Sequence, residues 1–245
     1  MAATLFVIPG SHPSMTARLM LERKGIQHRR VDLIPAVHRL VLRAAGFDGV
    51  TVPALKLDGR RLQGSRSISR ALDELKPEPP LFPRDPWWRD VVERVEAFGD
   101  EVLQPVARRL TWAALRRDRS SIGTFLEGAR IGIPIGIATR TSAPIVAISA
   151  RLNRATDAAA RADLEALPGR LDRIDDWIRE GALGGGAPSA ADYQIAPSLR
   201  LLMCLDDLRP AIEERPSGRL AREVVPSFPG RVGPVFPRAW LASLR

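Results

Sequence analysis

The stretch Thr4–Ile26, TLFVIPGSHPSMTARLMLERKGI, decides the fold. Its first part, Thr4–Pro9, is an apolar and partly β-branched run of strand length that ends in Pro-Gly, which predicts a buried strand. From Ser11 to Lys24 the apolar residues recur at helical spacing, with Ser11 as the N-cap candidate and Gly25 as the stop. A strand that passes directly into a helix predicts the opening of a βαβ unit.

The segments that follow predict the rest of a small mixed sheet. Residues 28–33 (HRRVDL) alternate as a strand does, and a strand that returns after a helix pairs in parallel with the first one. Asp58-Gly59 is a strong signal for a hairpin turn, so it predicts two antiparallel strands, Val52–Leu57 and Arg61–Gln63. Together with the helices, the predicted order is β-α-β-α-β-β-α.

Two further helices belong to this order. The first, Pro35–Gly46, ends at a glycine and carries one apolar face, formed by Val37, Leu40, Val41 and Ala44. The second begins at Ser65, which we predict to be its N-cap, and it closes at Lys76-Pro77.

A proline-rich segment divides the chain. Residues 76–86 (KPEPPLFPRDP) contain five prolines, which is typical of an extended linker. Downstream, apolar residues recur at helical spacing, from Val91 to Val102 and again from Leu164 to Ile178, and no strand pattern follows. We therefore predict an α/β domain over residues 1–76, a linker over 77–86, and an all-helical domain over 87–245 that ends in an irregular Pro/Gly-rich tail.

Residues 131–150 (IGIPIGIATRTSAPIVAISA) are apolar over nearly the length of a membrane span. Pro134, Arg140 and Pro144 argue against a span, because an arginine at mid-membrane costs at least ~2.5 kcal/mol and prolines interrupt the helix. We expect a buried helix beside a cleft, and no transmembrane segment.

The composition restricts location and partners. A formal net charge of +9 suggests an anionic partner. The basic residues are nearly all arginines scattered among alanines, however, and no aromatic-interleaved basic motif is present, which disfavours nucleic acid. The single cysteine, Cys204, excludes an internal disulfide, and no Cys/His cluster predicts a metal site. Because no basic region precedes the first apolar run, we expect a cytoplasmic protein.

Two motifs resemble the glutathione S-transferase superfamily. The run Ser11–Ile26 is similar to the first-helix segment of theta- and omega-type transferases, whose leading position holds the catalytic serine or cysteine. Ser189-x-x-Asp192 is a capping box, and in this superfamily the same pattern opens the central buried helix of the helical domain. The resemblance implies an α/β thioredoxin-like N-terminal domain (βαβαββα) followed by an all-α C-terminal domain, in a divergent bacterial member.

The resemblance makes Ser11 the candidate catalytic residue. Its hydroxyl can donate a hydrogen bond to a bound thiolate, and the positive end of the first helix lowers the thiol pKa in the same direction. Two alternatives stay open: Ser11 only caps the helix, or Ser14 is the thiol partner. We expect His12 to face solvent, and no role is assigned to His28 or His38.

The resemblance also implies a cofactor site for glutathione or a related thiol such as mycothiol. Val52-Pro53 matches the family's cis-proline, whose neighbouring backbone pairs with the peptide of the thiol like an added strand. Gln63, Ser65 and Arg66 lie where the family holds the γ-glutamyl group, with Ser65 receiving its carboxylate at a helix N-terminus. Gly64 stands where the family has an acidic residue or glutamine, which leaves room for another thiol or for a site that has lost its thiol.

Two functions therefore remain open. One is a transferase that activates a low-molecular-weight thiol for attack on, or reduction of, a small hydrophobic electrophile. The other is a non-catalytic binding or scaffold protein of the same fold. We expect the cleft for the electrophile between the first helix and the helical domain, with Trp87, Trp88, Trp112 and residues 131–137 as its lining or as core. The family further implies a homodimer.

Overall fold

The first part of the chain is built on a four-stranded mixed sheet. The computed structural model describes residues 2–35 and 37–244. Its strands are β1 (Ala3–Val7), β2 (Arg29–Asp32), β3 (Ala54–Leu57) and β4 (Arg60–Gln63), in the order β2-β1-β3-β4. β1 pairs in parallel with β2, whereas β3 pairs antiparallel with both β1 and β4. The predicted βαβ unit and hairpin are both confirmed.

Helices cover both faces of this sheet. α1 (His12–Arg23) and α3 (Ser65–Leu75) pack on one face, and α2 (His38–Ala44) lies on the other. The side chains of β1 alternate between the two cores: Leu5 is buried with α1 and α3, while Phe6 contacts Phe47 at a ring distance of 5.6 Å. The predicted order of elements is therefore confirmed.

The apolar face predicted for α2 is exposed and does not pack against the sheet. Val37, Leu40 and Val41 are exposed, with Leu40 at 70%, whereas Leu42 is completely buried beside Phe6 and Phe47. A helix of two turns buries only a narrow stripe, and here the pocket beneath β1 sets its rotation. The correction is that one residue, Leu42, anchors α2.

The proline-rich segment is tied to the first domain by a buried lysine. Lys24 is fully buried, and its Nζ lies 2.8 Å from Asp73 Oδ1 and 2.6 Å from the carbonyl oxygen of Lys76. The same Asp73 oxygen accepts a hydrogen bond of 2.8 Å from the amide of Leu81, a buried residue of the segment. The segment is thus packed, and the exact limits of the two domains remain our proposal.

The rest of the chain is helical. It begins with one continuous helical arm. This arm consists of α4 (Pro86–Phe98), one π-helical turn (Gly99–Leu103) and α5 (Gln104–Arg117). A Cβ atom at Gly99 would lie 2.7 Å from Gln194 Cγ, so only glycine lets this arm approach the central helix so closely. The remaining helices are α6 (Ile122–Phe125), α7 (Ile135–Arg140), α8 (Ala143–Leu152), α9 (Asp157–Arg179), α10 (Ala190–Met203), α11 (Arg209–Glu213) and α12 (Pro216–Val224), with short 3-10 turns at Arg119–Ser121 and Arg238–Leu244.

Helix α10 lies at the centre, and nearly all of its residues are buried. The predicted capping box is present: Ser189 Oγ accepts from the amide of Asp192, and Asp192 Oδ2 accepts from the amide of Ser189 at 2.8 Å. Asp192 Oδ1 also accepts from the amide of Gly184 at 2.8 Å. On the facing helix, Thr16 Oγ1 donates to the carbonyl of Tyr193 at 2.7 Å, which joins α1 to α10.

The apolar stretch 131–150 forms two short helices rather than the single buried helix we expected. α7 and α8 are separated at Thr141-Ser142, and Ile137 and Ile148 are about half exposed. The prolines and glycines divide the stretch into pieces too short to bury every side. No helix in the described part of the chain is both long and apolar enough to cross a membrane.

The C-terminal tail is anchored, although it is irregular. Val232 is fully buried and forms an isolated bridge with Leu205, and Phe236 is also buried. Gly230 passes so close to Phe125 that a Cβ atom would lie 2.3 Å from its ring. The tail therefore supports the end of α6, which carries Phe125.

Replacement of Asp192 should destabilise the protein strongly. Asp192→Ala leaves the amides of Gly184 and Ser189 without their acceptor, so we expect the free energy of unfolding to fall by about 2–4 kcal/mol. Ser189→Ala, which removes only the cap, should cost about 1 kcal/mol. Urea unfolding followed by circular dichroism measures both, and equal losses would contradict the double role of Asp192.

Replacement of Lys24 should loosen the linker. Lys24→Met leaves the carboxylate of Asp73 without its cation and the carbonyl of Lys76 without this donor, and breaking a buried ion pair costs about 3 kcal/mol. We expect limited proteolysis to cut residues 77–85 faster than in the parent protein. Lys76→Met, which changes an exposed side chain, is the control; cleavage that is equally fast in both variants would contradict this role of Lys24.

Candidate functional site

A cavity of about 380 Å³ opens where the two parts of the chain meet. The start of α1, the loop before β3 and the segment around α2 form one wall, and α5 to α8 form the other. Its lining is mainly apolar, and the charged side chains in it are Arg39 and Arg108. None of the described residues that line the cavity is an aspartate or a glutamate. The cavity is therefore apolar with a positive bias.

Ser11 lies at the edge of this cavity as the N-cap of α1. Its Oγ accepts hydrogen bonds from the amide of Ser14 at 3.4 Å and from the hydroxyl of Ser14 at 3.0 Å. Within residues 2–35 and 37–244 the Ser11 hydroxyl donates to no acceptor, so its hydrogen is available for a ligand. Ser11 does cap the helix, and capping leaves its donor available for a ligand.

Ser14 supports Ser11 rather than replacing it. Ser14 is buried, with 4% of its surface exposed, and its hydroxyl is directed at Ser11. It does not line the 380 Å³ cavity, although it lies with Ser11 on a more open cleft of about 700 Å³ on the other side of Phe125. A Cβ atom at Gly10 would lie 3.0 Å from Phe125, so this ring packs directly over the turn before Ser11.

His12 is buried, which corrects our expectation that it faces solvent. Only 2% of its surface is exposed, and its Nε2 has no hydrogen-bond partner among the described residues. Burial, and secondly the positive charge of Arg108, hold the pKa of His12 well below its usual value. His12 is therefore neutral at physiological pH and lines the cavity next to Ser11.

The peptide bond between Val52 and Pro53 is cis, as the family resemblance implied. The carbonyl of Pro53 accepts from the amide of Gly64 at 3.0 Å, which continues the β3-β4 ladder. Neither the amide nor the carbonyl of Val52 forms a backbone hydrogen bond within residues 2–35 and 37–244. Val52 and Ser11 both line the cavity, so a peptide without a backbone partner in the described residues and the serine belong to the same site.

The other predicted cofactor-binding residues lie outside this cavity. Gln63 holds the loop before β3: its Oε1 accepts from the amide of Gly49 at 2.7 Å, and its Nε2 donates to the carbonyl of Thr51 at 3.2 Å. Arg66 forms an ion pair of 2.8 Å with Glu101 on the π turn. Both side chains therefore have partners within the chain.

Ser65 is not the N-cap of α3. Gly64 occupies the cap position with φ +82°, a conformation that favours glycine, and Ser65 is the first residue of the helix. Its buried hydroxyl accepts from Gln104 Nε2 at 3.4 Å. The backbone conformation at residue 64 thus explains the glycine there.

Only one of the three tryptophans suggested as lining reaches the cavity. Trp112 on α5 lines it, whereas Trp87 and Trp88 lie at the start of α4, contact each other at a ring distance of 4.7 Å and are 63% and 37% exposed. Ile131 and Ile133 also line the cavity. The tryptophan pair belongs to the surface, because α4 begins at the end of the proline-rich segment.

Sequence reasoning missed Arg108, the charged residue on the helical wall. Arg108 lies one turn before Trp112 and one turn after Gln104, so all three side chains share a face of α5. The spacing Gln104-x3-Arg108-x3-Trp112 was the available signal. In the sequence Arg108 cannot be told apart from its neighbour Arg109. Arg109 has a structural role, an ion pair of 2.5 Å with Asp163.

Known proteins resemble this chain in fold. Residues 5–80 match the model of the glutathione S-transferase N-terminal domain. No curated protein sequence matches the chain. A glutathione S-transferase structure from Rhodospirillum rubrum F11 is 20% identical, with a TM-score of 0.56, over 98% of this chain and 99% of that one.

Two further solved structures have the same fold. A maleylacetoacetate isomerase from Anaeromyxobacter dehalogenans 2CP-1, with bound GSH in its active site, is 23% identical, with a TM-score of 0.52, over 91% of this chain and 89% of that one. The beta-etherase LigF from Sphingobium sp. strain SYK-6 is 18% identical, with a TM-score of 0.62, over 92% of this chain and all (100%) of that one. Because the sheet order and the helical second half also agree with these structures, the chain has the glutathione S-transferase fold, and its residues 5–80 match the N-terminal domain family of that name.

Proposed function

We propose that this protein is an enzyme that binds glutathione, ionises its thiol beside Ser11 and delivers the thiolate to a small hydrophobic electrophile. One observation carries the proposal: Ser11, whose hydroxyl donates to no acceptor in the described residues, and Val52, whose peptide has no backbone partner there, line the same apolar cavity. A peptide thiol needs both groups, one for its sulfur and one for its backbone. The structure of the isomerase with bound GSH supports glutathione as the thiol.

The backbone of Val52 would hold the cysteinyl part of glutathione. An extended peptide that pairs with an unpaired strand edge gains two main-chain hydrogen bonds without depending on side chains. Arg39, an exposed residue that lines the same cavity, would attract the glycyl carboxylate. We propose Val52, Pro53 and Arg39 as one side of the thiol site.

The γ-glutamyl end would lie toward the start of α3. Ser65 and Arg66 occupy the first turn of this helix, where amide groups and the positive end of the helix favour a carboxylate. Gln63 would act indirectly, since it fixes the loop that presents Val52. Binding here requires Ser65 to exchange its contact with Gln104 for the ligand.

Ser11 would lower the pKa of the bound thiol. Its hydroxyl donates to the sulfur, and the amide dipoles at the start of α1 favour the anion. The thiol proton leaves to solvent, the sulfur forms a bond with the electrophilic carbon, and the leaving group departs with its electron pair. The nucleophile is not the chain's own cysteine, because burial raises the pKa of Cys204 to about 12.

A second function, a non-catalytic binding or scaffold protein of the same fold, has one observation in its favour. Gly64 offers no side chain to the γ-glutamyl group, and Gln63 is already engaged with residues 49–51. Such a protein would keep the cavity but would not bind the thiol. The two functions therefore differ in thiol affinity.

We expect Ser11→Ala to lower kcat/KM for glutathione conjugation by a factor of about 10²–10³, as loss of one donor to a developing anion does. The pKa of bound glutathione, measured from thiolate absorbance against pH, should rise toward the ~8.5 of a free thiol. Ser14→Ala, which removes a supporting bond to Ser11, should have a smaller effect on both. Unchanged turnover in Ser11→Ala together with lost turnover in Ser14→Ala would assign the thiol to Ser14.

Calorimetric titration separates the enzyme from the scaffold. We expect glutathione to bind, and mycothiol, which lacks the γ-glutamyl-cysteinyl-glycine backbone, to bind more weakly because it cannot pair with Val52 in the same way. The Val52 peptide cannot be removed by mutation, so S-methylglutathione serves as the control that keeps the backbone and blocks the thiol. Absence of heat with every one of these ligands would favour the scaffold.

The superfamily also leads us to propose a homodimer in the cytoplasm. Sedimentation equilibrium measures the first property, and fractionation of the source cells measures the second. A monomer at micromolar concentration would contradict the proposed assembly.

A further inference from the structure

Arg108 differs from the other arginines of α5. Arg109 pairs with Asp163 at 2.5 Å, and Arg117 pairs with Asp157 at 2.9 Å. Arg108 has no carboxylate within 4.0 Å among the described residues, and its one hydrogen bond there runs from Nη2 to Gln104 Oε1 at 3.3 Å. A guanidinium carries five N–H donors, so most of its hydrogen-bonding capacity is unused.

The surroundings of Arg108 make its unpaired charge unfavourable in free energy when no ligand is bound. It lines the cavity with Trp112 and Leu115 on its own helix and faces the neutral ring of His12. Burial lowers the pKa of Arg108, and the nearest compensating acid, Asp100, is already hydrogen bonded to Gln194 at 3.2 Å. A positive charge that is partly removed from water without an ion pair is stabilised when a ligand supplies the anion.

His12, at the start of α1 on the opposite wall, is a second polar group near Arg108. It is 2% exposed and lines the cavity, and its Nε2 has no hydrogen-bond partner in the described part of the chain. A neutral His12 supplies no anion to Arg108, so the guanidinium stays without a counter-ion among the described residues. Trp112, one turn further along α5, offers a flat apolar surface beside both groups.

We propose that the electrophile carries a carboxylate, which Arg108 binds, on an aromatic or other flat apolar body that packs against Trp112. This inference rests on the proposed function in one respect, namely that the ligand of the helical wall is the second substrate and not the thiol. Arg108 lies on the helical wall, opposite the Val52 edge and Arg39. The glycyl carboxylate of glutathione and the carboxylate of the electrophile thus have separate arginines.

A matched pair of small molecules tests the carboxylate directly. The probes are para-chloro-meta-nitrobenzoate and para-chloro-meta-nitrobenzamide, which have the same shape and the same reactive carbon but differ in charge. Their binding to the full-length protein is measured by calorimetry without glutathione, so that the result does not depend on thiol chemistry. The variants are Arg108→Met, Arg108→Lys and, as a control that removes an exposed charge elsewhere, Arg94→Met.

We expect the parent protein and Arg94→Met to bind the benzoate about tenfold or more tightly than the amide, because a charge-assisted hydrogen bond is worth at least that much. Arg108→Met should lose this preference while still binding the amide, and Arg108→Lys should keep part of it. A parent protein with no preference, or an Arg108→Met variant that keeps it, would overturn the proposal. The first of these outcomes is measured on the parent protein alone, so it cannot result from a variant that fails to fold.

Turnover with glutathione separates this proposal from the proposed function. In the reaction, the thiolate sulfur bonds to the ring carbon and chloride leaves with the electron pair, so no other reactant is needed. The ratio of kcat/KM for benzoate over amide, compared between the parent and Arg108→Met, cancels the different intrinsic reactivities. Arg108-dependent binding of the benzoate without any turnover would refute the glutathione-dependent activity and leave the carboxylate site intact.

Discussion

The burial of α10 is the constraint on which the rest of the structure depends. A helix whose residues are almost all buried cannot leave its first amide groups to water, so Ser189 and Asp192 must satisfy them within the protein. Asp192 also holds the amide of Gly184, which fixes the entry of the chain into the helix. Once α10 is set, Thr16 can bond to Tyr193, and α1 acquires a fixed position. The location of Ser11 thus follows from a polar arrangement far along the chain.

The same helix sets the position of the helical wall of the cavity. Gly99 allows the arm formed by α4, the π turn and α5 to approach α10, where Gln194 occupies the space that a side chain at residue 99 would need. The extra residue in a π turn rotates the face of the helix that follows. On α5 this face presents Gln104 to Ser65, and Arg108 and Trp112 to the cavity. The two walls are therefore positioned by one central helix.

Local signals made the fold predictable, and tertiary packing limited the prediction of the site. Ser11, Asp58-Gly59 and the capping box act within a few residues, so the sequence alone indicates them. His12 is buried, and Arg108 lies near it, because residues of α5 approach the start of α1, and nothing within a few residues of either side chain reports that contact. The exposed face of α2 has the same origin, since the fit of Leu42 beneath the sheet outweighs three apolar neighbours.

The charges that line the cavity all affect the stability of a thiolate bound at Ser11. A thiolate at Ser11 is an anion in an apolar space, and its stabilisation by the helix dipole is strengthened by any nearby cation that is not already neutralised. His12 contributes no charge because burial and Arg108 keep it neutral, so the cation on that side is Arg108. A carboxylate bound to Arg108 would cancel this cation, which leaves Ser11 and the start of α1 to stabilise the sulfur. Ser11 therefore matters most when both substrates are bound, and this is the state in which the bond to sulfur forms.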